Sequence, residues 1–392
     1  GAFLLSRVEI AREPAVPTDT AAPQISEVTL SPMPATQVAT SPTPTPTPSL
    51  EQKFDLFAWV AYAPTNYDPN TDLMPSTESI TQDMQVLYDV GFRGIVTYGA
   101  ADVFAEIPRL AKEAGFQGVV MGIWSPGDVA ESQAAVDALD FVDGYVVGNE
   151  GLFFDRYDYQ TLEMAILDLR QRTGKPVTTT EVLSLYGDDK LLNLGDWAFP
   201  NVHPYWQSIT DPISAVNWTR TQYDDLVRRA PGFVVLKEVG LPTAGNPRSS
   251  EYQQAEYYTR LRESQVQFVY FEAFDQPWKS ENEGAVGAYW GVYDVYRNQK
   301  FAFTEPIVRV PQWRVLAGVS VLLAALGFWA MIPWALKMPI GHLVDLIWRY
   351  KSVLVYLGAA LIAASLLIML GLLARPEAMG ALMPVSAWYV LS

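Results

Sequence analysis

The stretch DGYVVGNEG, residues 143–151, runs through apolar Tyr145, Val146 and Val147 and then delivers a carboxylate, Glu150, directly after Asn149. A second stretch, FVVLKEVGLP at 233–242, ends the same way at Glu238. Near-continuous apolar runs mark strands of a parallel sheet covered on both faces. In a (β/α)8 barrel the carboxyl ends of such strands meet at one mouth. The two glutamates are therefore the candidate catalytic pair, because isolated charges are costly to carry on buried strands.

Outward from these two strands, residues 54–303 alternate short apolar runs with amphipathic stretches, the pattern of repeated βα units. Strands are predicted at 54–64, 92–99, 116–124, 143–150, 176–184, 197–206, 233–242 and 266–278. Helix starts are marked by Asp128 with Glu131, by Asp211 before Pro212, and by Ser250 with Gln253. Gly91, Gly115 and Gly174 stand where helices should stop. Eight strands in this length fit an α/β fold of the (β/α)8 (TIM barrel) type. A doubly wound open sheet is the rival, but neither GxGxxG nor a P-loop follows the first strand.

The flanks differ in character. Residues 1–12 are read as the end of a signal or anchor segment, and 13–50 as a Pro/Thr-rich disordered linker closing in SPTPTPTPS at 41–49. The globular domain is placed at 51–308. Beyond it, 309–392 is expected to be a transmembrane region, with uncharged helices at about 315–336 and 352–374 and a partial third at 378–392, each full span long enough to cross ~30 Å of hydrocarbon. The loop between them carries Lys337, Arg349 and Lys351 against Asp345. By the positive-inside rule that loop is cytoplasmic and the barrel extracytoplasmic. With no initiator Met and an unfinished last helix, the chain is read as part of a longer polypeptide.

Composition narrows the chemistry. The formal net charge of the 392 residues is -16, so nucleic acid is not an expected partner. Cysteine is absent, which removes thiolate nucleophiles and disulfides, and His203 and His342 are the only histidines. The chemistry left is mainly that of carboxylates, and a histidine-cluster metal site is excluded. Two carboxyl groups ~5–5.5 Å apart can break a glycosidic bond with net retention, one attacking C1 while the other protonates the departing oxygen. Their mutual repulsion raises the pKa of the acid. Asn149 suits a hydrogen bond to the sugar 2-hydroxyl.

Five motifs in order carry a resemblance: VVGNE at 146–150, HPYW at 203–206, KEVGLPTAG at 237–245, YFEAFDQPWK at 270–279 and EGAVGAYWGVYD at 283–294. Together they resemble glycoside hydrolase family 17, and their order and spacing resemble its bacterial, membrane-attached members. The resemblance covers about residues 54–303. It implies a retaining β-1,3-glucanase or β-glucan transglycosylase that needs no metal or organic cofactor, with Glu150 as acid/base, Glu238 as nucleophile and β-glucan as the partner. Two departures stand near the sugar site: Val96 replaces the family's Arg in its I-R-x-Y segment, and Leu241 replaces Trp in E-x-G-W-P.

Further substrate-binding candidates are Tyr62, Tyr98, Trp124, Tyr205, Trp206, Phe274 and Trp278, aromatic rings at strand ends that can stack on glucose or pack the barrel mouth. His203 is read as orienting a neighbour or a sugar hydroxyl. Lys279 and Glu283 are read as a substrate-binding or solvated ion pair, and Glu272 as a support pointing into the barrel. Three alternatives to a hydrolase are carried. They are a transglycosylase remodelling extracytoplasmic glucan, a non-catalytic glycan-binding ectodomain, and a transporter bearing an ectodomain.

Overall fold

The computed structural model describes residues 47–301 together with Val315, Gly318 and Arg349. Apart from those three residues, the expected transmembrane region lies outside the described residues, as do the anchor or signal remnant and the linker up to 46. The chain divides into two units, Gly1–Thr47 and Pro48–Ser392, and the fold described is that of the second. Among the described residues no helix is long and apolar enough to cross a membrane.

Seven strands form one sheet: β1 Ala58–Ala61, β2 Phe92–Val96, β3 Gly118–Ile123, β4 Gly144–Val147, β5 Val177–Thr179, β6 Leu236–Val239 and β7 Phe268–Tyr270. Their order is β5-β4-β3-β2-β1-β7-β6, and every pairing is parallel. The helices are α1 Leu50–Leu56, α2 Thr77–Asp89, α3 Ile107–Glu113, α4 Val129–Asp137, α5 Tyr159–Thr173, α6 Asp189–Leu192, α7 Pro212–Arg229, α8 Glu251–Glu263 and α9 Ser280–Glu283.

Residues 196–202 link the two edge strands. On one side Asp196 N–H donates to Val177 O at 2.9 Å and Asn201 N–H to Glu181 O at 2.9 Å. On the other, Ala198 O accepts from Val235 N–H at 3.0 Å, and Val202 N–H donates to Glu238 O at 2.9 Å. This is the sixth predicted strand, reduced to isolated bridges at Ala198 and Asn201. Pro200 explains the interruption: its carbonyl accepts from Lys237 at 2.9 Å, but it has no N–H to donate to the other side. The result is a curled parallel sheet with helices outside, consistent with a (β/α)8 barrel.

Alternation along the strands sorts the core into two faces. Val60, Ile95, Val119, Met121, Tyr145 and Leu236 belong to one cluster, which the outer helices cover. Trp59, Val96, Val120, Val146, Val235 and Val269 belong to the other, which fills the inside. Trp59 dominates that interior, where burying ~200 Å² of indole is worth roughly 5 kcal/mol. Room for it comes from Gly94 and Gly118, where an added Cβ would stand 2.1 and 2.4 Å from the indole.

The first predicted strand is corrected at its start. Phe54 to Leu56 belong to α1, because Ser49 and Gln52 form a capping box that the apolar pattern conceals. Phe54 then stacks on Trp59 with ring centres 4.2 Å apart, so the helix seals the barrel interior. The last predicted strand shortens to β7, after which the chain turns through irregular structure. Asp211 and Ser250 cap α7 and α8 as expected, and Gly174 closes α5 at φ +65°. Asp128 caps α4 through Ala130 and Glu131 N–H, but no capping box forms there. Glu131 instead accepts from Ala100, Trp124 and Ser125 N–H at 2.9, 2.8 and 2.9 Å, tying two loops of the barrel mouth.

Candidate active site

Glu150 follows β4 where the chain leaves the sheet, at φ +57°. Its N–H donates to Thr180 O at 2.9 Å. The turn is packed around Tyr157, whose hydroxyl would lie 2.0 Å from a Cβ on Gly148. That hydroxyl accepts from Gly151 N–H at 3.0 Å and donates to Glu181 at 3.1 Å. Fully buried Glu181 also accepts from Leu152 and Phe153 N–H at 3.0 and 3.3 Å, so one carboxylate anchors the whole loop behind Glu150. The Glu150 side chain itself accepts from Asn201 Nδ2 at 2.8 Å.

Glu238 arrives from β6. Its Oε1 accepts from Lys237 Nζ at 2.7 Å, and its Oε2 lies 3.3 Å from His203 Nε2. His203 packs edge-on to Phe271 and Trp290, at 5.1 and 5.3 Å between ring centres.

Glu150 and Glu238 line one cleft of about 1730 Å³, larger than the few hundred to ~1,000 Å³ of a small-molecule pocket and roomy enough for an oligosaccharide. Their environments push them apart. Burial and then the charge of Glu238 raise the pKa of Glu150, against the opposing hydrogen bond from Asn201. For Glu238 burial also favours the neutral form, but the adjacent Lys237 and His203 outweigh it and hold this carboxyl well below the usual range. A carboxylate held ionised beside one inclined to keep its proton is the division of labour that acid–nucleophile chemistry needs.

The cleft also gathers Tyr62, Tyr98, Trp124, Asn149, His203, Trp206, Trp278, Lys279 and Glu283. Among the aromatics, Trp124 and Trp206 are 43% and 49% exposed, open enough to meet a sugar face. Arg156 lies over the Trp124 ring at 4.2 Å. Tyr62 is tied elsewhere: it is buried, and its hydroxyl donates to Asp83 at 2.8 Å. Three candidates do not line the cleft. Tyr205 packs on Trp290 at 5.7 Å and accepts from Asn246 at 3.2 Å, and Phe274 is fully buried between Tyr62 and Tyr293. Glu272, also fully buried, takes Lys279 Nζ at 2.7 Å on both oxygens. That pairing corrects the expected Lys279–Glu283 ion pair, since Glu283 accepts instead from Trp290 Nε1 at 3.1 Å. The departures at Val96 and Leu241 are both buried, and neither lines the cleft. Among the described residues no group of three His, Asp or Glu side chains is placed to hold a metal ion.

Residues 60–291 match the BtgE/BtgC glycoside hydrolase domain. The chain belongs to that family. A glucan 1,3-beta-glucosidase of Arthroderma benhamiae is 31% identical over 250 residues, covering 52% of this chain and 78% of that protein. A probable beta-glucosidase, btgE, of Aspergillus flavus is 26% identical over 241 residues, covering 57% of this chain but only 40% of the relative. Among solved structures, the glycoside hydrolase family 17 beta-1,3-glucanosyltransferase of Rhizomucor miehei superposes with a TM-score of 0.54 at 24% identity, over 63% of this chain and 97% of that one. At that identity the superposition speaks for the fold.

Within this BtgE/BtgC member the residues that sequence reading missed are Asn201, Lys237, Glu181, Arg156 and Trp290. Lys237 left a signal, a cation inside an otherwise apolar strand, and Trp290 stands inside the motif at 283–294. Arg156 follows Glu150 by six residues on an unpatterned loop, while Asn201 and Glu181 meet the site across tens of residues.

Proposed function

We propose that this chain is a retaining glycosidase that cleaves β-1,3-linked glucan, with Glu238 as nucleophile and Glu150 as acid/base. The observation that carries this reading is the pair of oppositely perturbed carboxyls in one cleft. A Glu238 oxygen attacks C1 of the sugar. The bond from C1 to the departing oxygen breaks with its electron pair going to that oxygen, which takes the proton of Glu150. Water, deprotonated by Glu150, then attacks C1 and expels Glu238 as a free carboxylate. The choice of β-1,3-glucan rests on the activities named for the family's relatives.

Transfer to a second sugar shares the same intermediate, and the exposed Phe153 and Phe154 beside Glu150, 51% and 61% exposed, favour it by offering a sugar-binding rim where an acceptor would enter. Products longer than the laminari-oligosaccharide supplied indicate transfer, and only shorter ones indicate hydrolysis. Azide added to a Glu150→Ala variant should give a β-glycosyl azide, and to Glu238→Ala an α-glycosyl azide. Wild-type turnover by either variant would reject the assignment, and binding without any turnover by the wild type would favour a glycan-binding ectodomain.

The domain plan belongs to the same proposal. A tether at 13–50 precedes a catalytic domain at 51–308, and apolar segments at 315–336 and 352–374 anchor it to a membrane with the domain outside the cytoplasm. Protease accessibility of the domain in intact spheroplasts tests that orientation.

A further inference from the structure

Lys237 and Glu238 are consecutive on β6, where alternation should send their side chains to opposite faces. The register with β7 shifts between Leu236 and Val239, an irregularity of the kind that lets neighbouring residues share one side. Lys237 is 1% exposed and stands behind the cleft wall. A cation in that place is costly unless its hydrogen-bonding capacity is met. Its Nζ donates to Glu238 Oε1 at 2.7 Å and to Asn149 Oδ1 at 2.6 Å, and it lies 4.1 Å from the centre of the Tyr98 ring.

The contact with Asn149 has a consequence. Oδ1 of Asn149 accepts from Lys237 and, at 3.3 Å, from Asn201, so the amide cannot flip without aiming its own N–H groups at an ammonium. Among the described residues Asn149 Nδ2 donates to no protein group, and Asn149 lines the cleft. We propose that Lys237 is a positioning residue that holds the Glu238 carboxylate and the Asn149 amide together, aligning the first with C1 and turning the N–H of the second toward the neighbouring 2-hydroxyl. This rests on the reading of Glu238 as nucleophile.

The charged and titratable groups around the pair are Glu150 from the end of β4, Tyr98 beyond β2, His203 beyond residues 196–202, and Glu272, Lys279 and Glu283 from the chain after β7. Lys237 itself is the cation bonded to both Glu238 and Asn149. When Glu238 becomes an ester its charge disappears, and Lys237 keeps Asn149 but exchanges an ion pair for a weaker hydrogen bond to a neutral ester oxygen. The lysine therefore favours the free carboxylate, which keeps Glu238 ionised before attack and eases its departure afterwards.

The test uses the full chain with an aryl β-laminaribioside and its analogue lacking the 2-hydroxyl on the reacting ring. In Lys237→Met the acid limb of kcat/KM should move up by about 1–3 pH units, the effect of removing an opposite charge at this range. Preference for the 2-hydroxyl substrate should fall at least about tenfold, the loss of one good hydrogen bond to substrate. Asn149→Ala should lose the same preference, and the double variant should lose no more than either single one. Lys237→Arg, which keeps the charge but not the compact ammonium, should keep the acid limb and lose the 2-hydroxyl preference; it serves alone if Lys237→Met does not fold. An unmoved acid limb and intact preference in Lys237→Met, or intact preference in Lys237→Arg, overturns the proposal. Glu238→Ala separates the two ideas: if it is inactive while Lys237→Met behaves as wild type, only the role of Lys237 falls, whereas an active Glu238→Ala removes the nucleophile assignment itself.

Discussion

Asn201 Nδ2 donates a 2.8 Å hydrogen bond to Glu150, while the backbone of Asn201 is bridged in parallel register to Glu238. One residue thus relates the two carboxyls through the interrupted sixth strand. Its side-chain Oδ1 accepts from Thr180 Oγ1 at 2.9 Å, which orients the amide.

Asn201→Ala should therefore move the basic limb of the pH–rate profile. The hydrogen bond from Asn201 favours ionised Glu150, so removing it raises a pKa that burial and Glu238 have already raised. Glu150 must be protonated to assist departure, and the basic limb should shift to higher pH by roughly half to one unit. A basic limb that stays in place or moves down would remove Asn201 from the acid's environment.

Breaking the Lys279–Glu272 pair should cost more than removing it. Burial holds Glu272 at a pKa of about 7 even with Lys279 on both oxygens, above its unfolded value. A raised carboxyl pKa means that ionisation opposes folding, so the penalty is absent at low pH and grows as pH rises through 7. Lys279→Met leaves that carboxylate unpaired and should destabilise the fold by about 3–5 kcal/mol at pH 8, with a smaller loss at pH 5.5. Adding Glu272→Leu should restore much of the loss. Urea titrations of the three variants at both pH values decide it.

Gly94→Ala should damage the core without touching the site. The new methyl would collide with the Trp59 indole at 2.1 Å, and the ring is held by Phe54 stacked 4.2 Å away. Overpacking of this kind costs about 1–3 kcal/mol or more. Thermal unfolding should show a lowered midpoint, partly recovered by Trp59→Leu, with KM for laminari-oligosaccharides unchanged in the fraction that folds.

Trp124→Ala should weaken binding of longer substrates. Its indole is 43% exposed in the cleft, with Arg156 on the ring. Loss of a stacking platform should raise KM for laminarihexaose about fivefold, in line with an aromatic contact of ~1 kcal/mol, and leave kcat within about twofold. A fall confined to kcat would place Trp124 in the chemistry instead.

Much of the barrel was legible because its determinants are local. The strands predicted at 92–99, 116–124 and 143–150 appear, each shorter, as β2, β3 and β4, and Asp211 with Pro212 starts α7. The errors arose where two local signals compete. Phe54 to Leu56 look like a strand but follow a capping box, and Pro200 interrupts a strand whose neighbours still pair with both edges. In the site, Glu150 and Glu238 announce themselves as acids ending apolar strands. Phe274 and Tyr205 do not reveal which way their rings turn, since a strand end can face either the cleft or the helices.

The sequence by itself determined the repeating βα pattern, the two acids at strand ends and the family, because periodicity and motif order are properties of the linear chain. Only the tertiary structure decided that Lys279 belongs to Glu272, that Asn201 serves Glu150, and that Lys237 joins Glu238 to Asn149. Those partners lie up to 88 residues apart, and the strength of a charge pair depends on distance and burial, which exist only once the sheet has curled and excluded water.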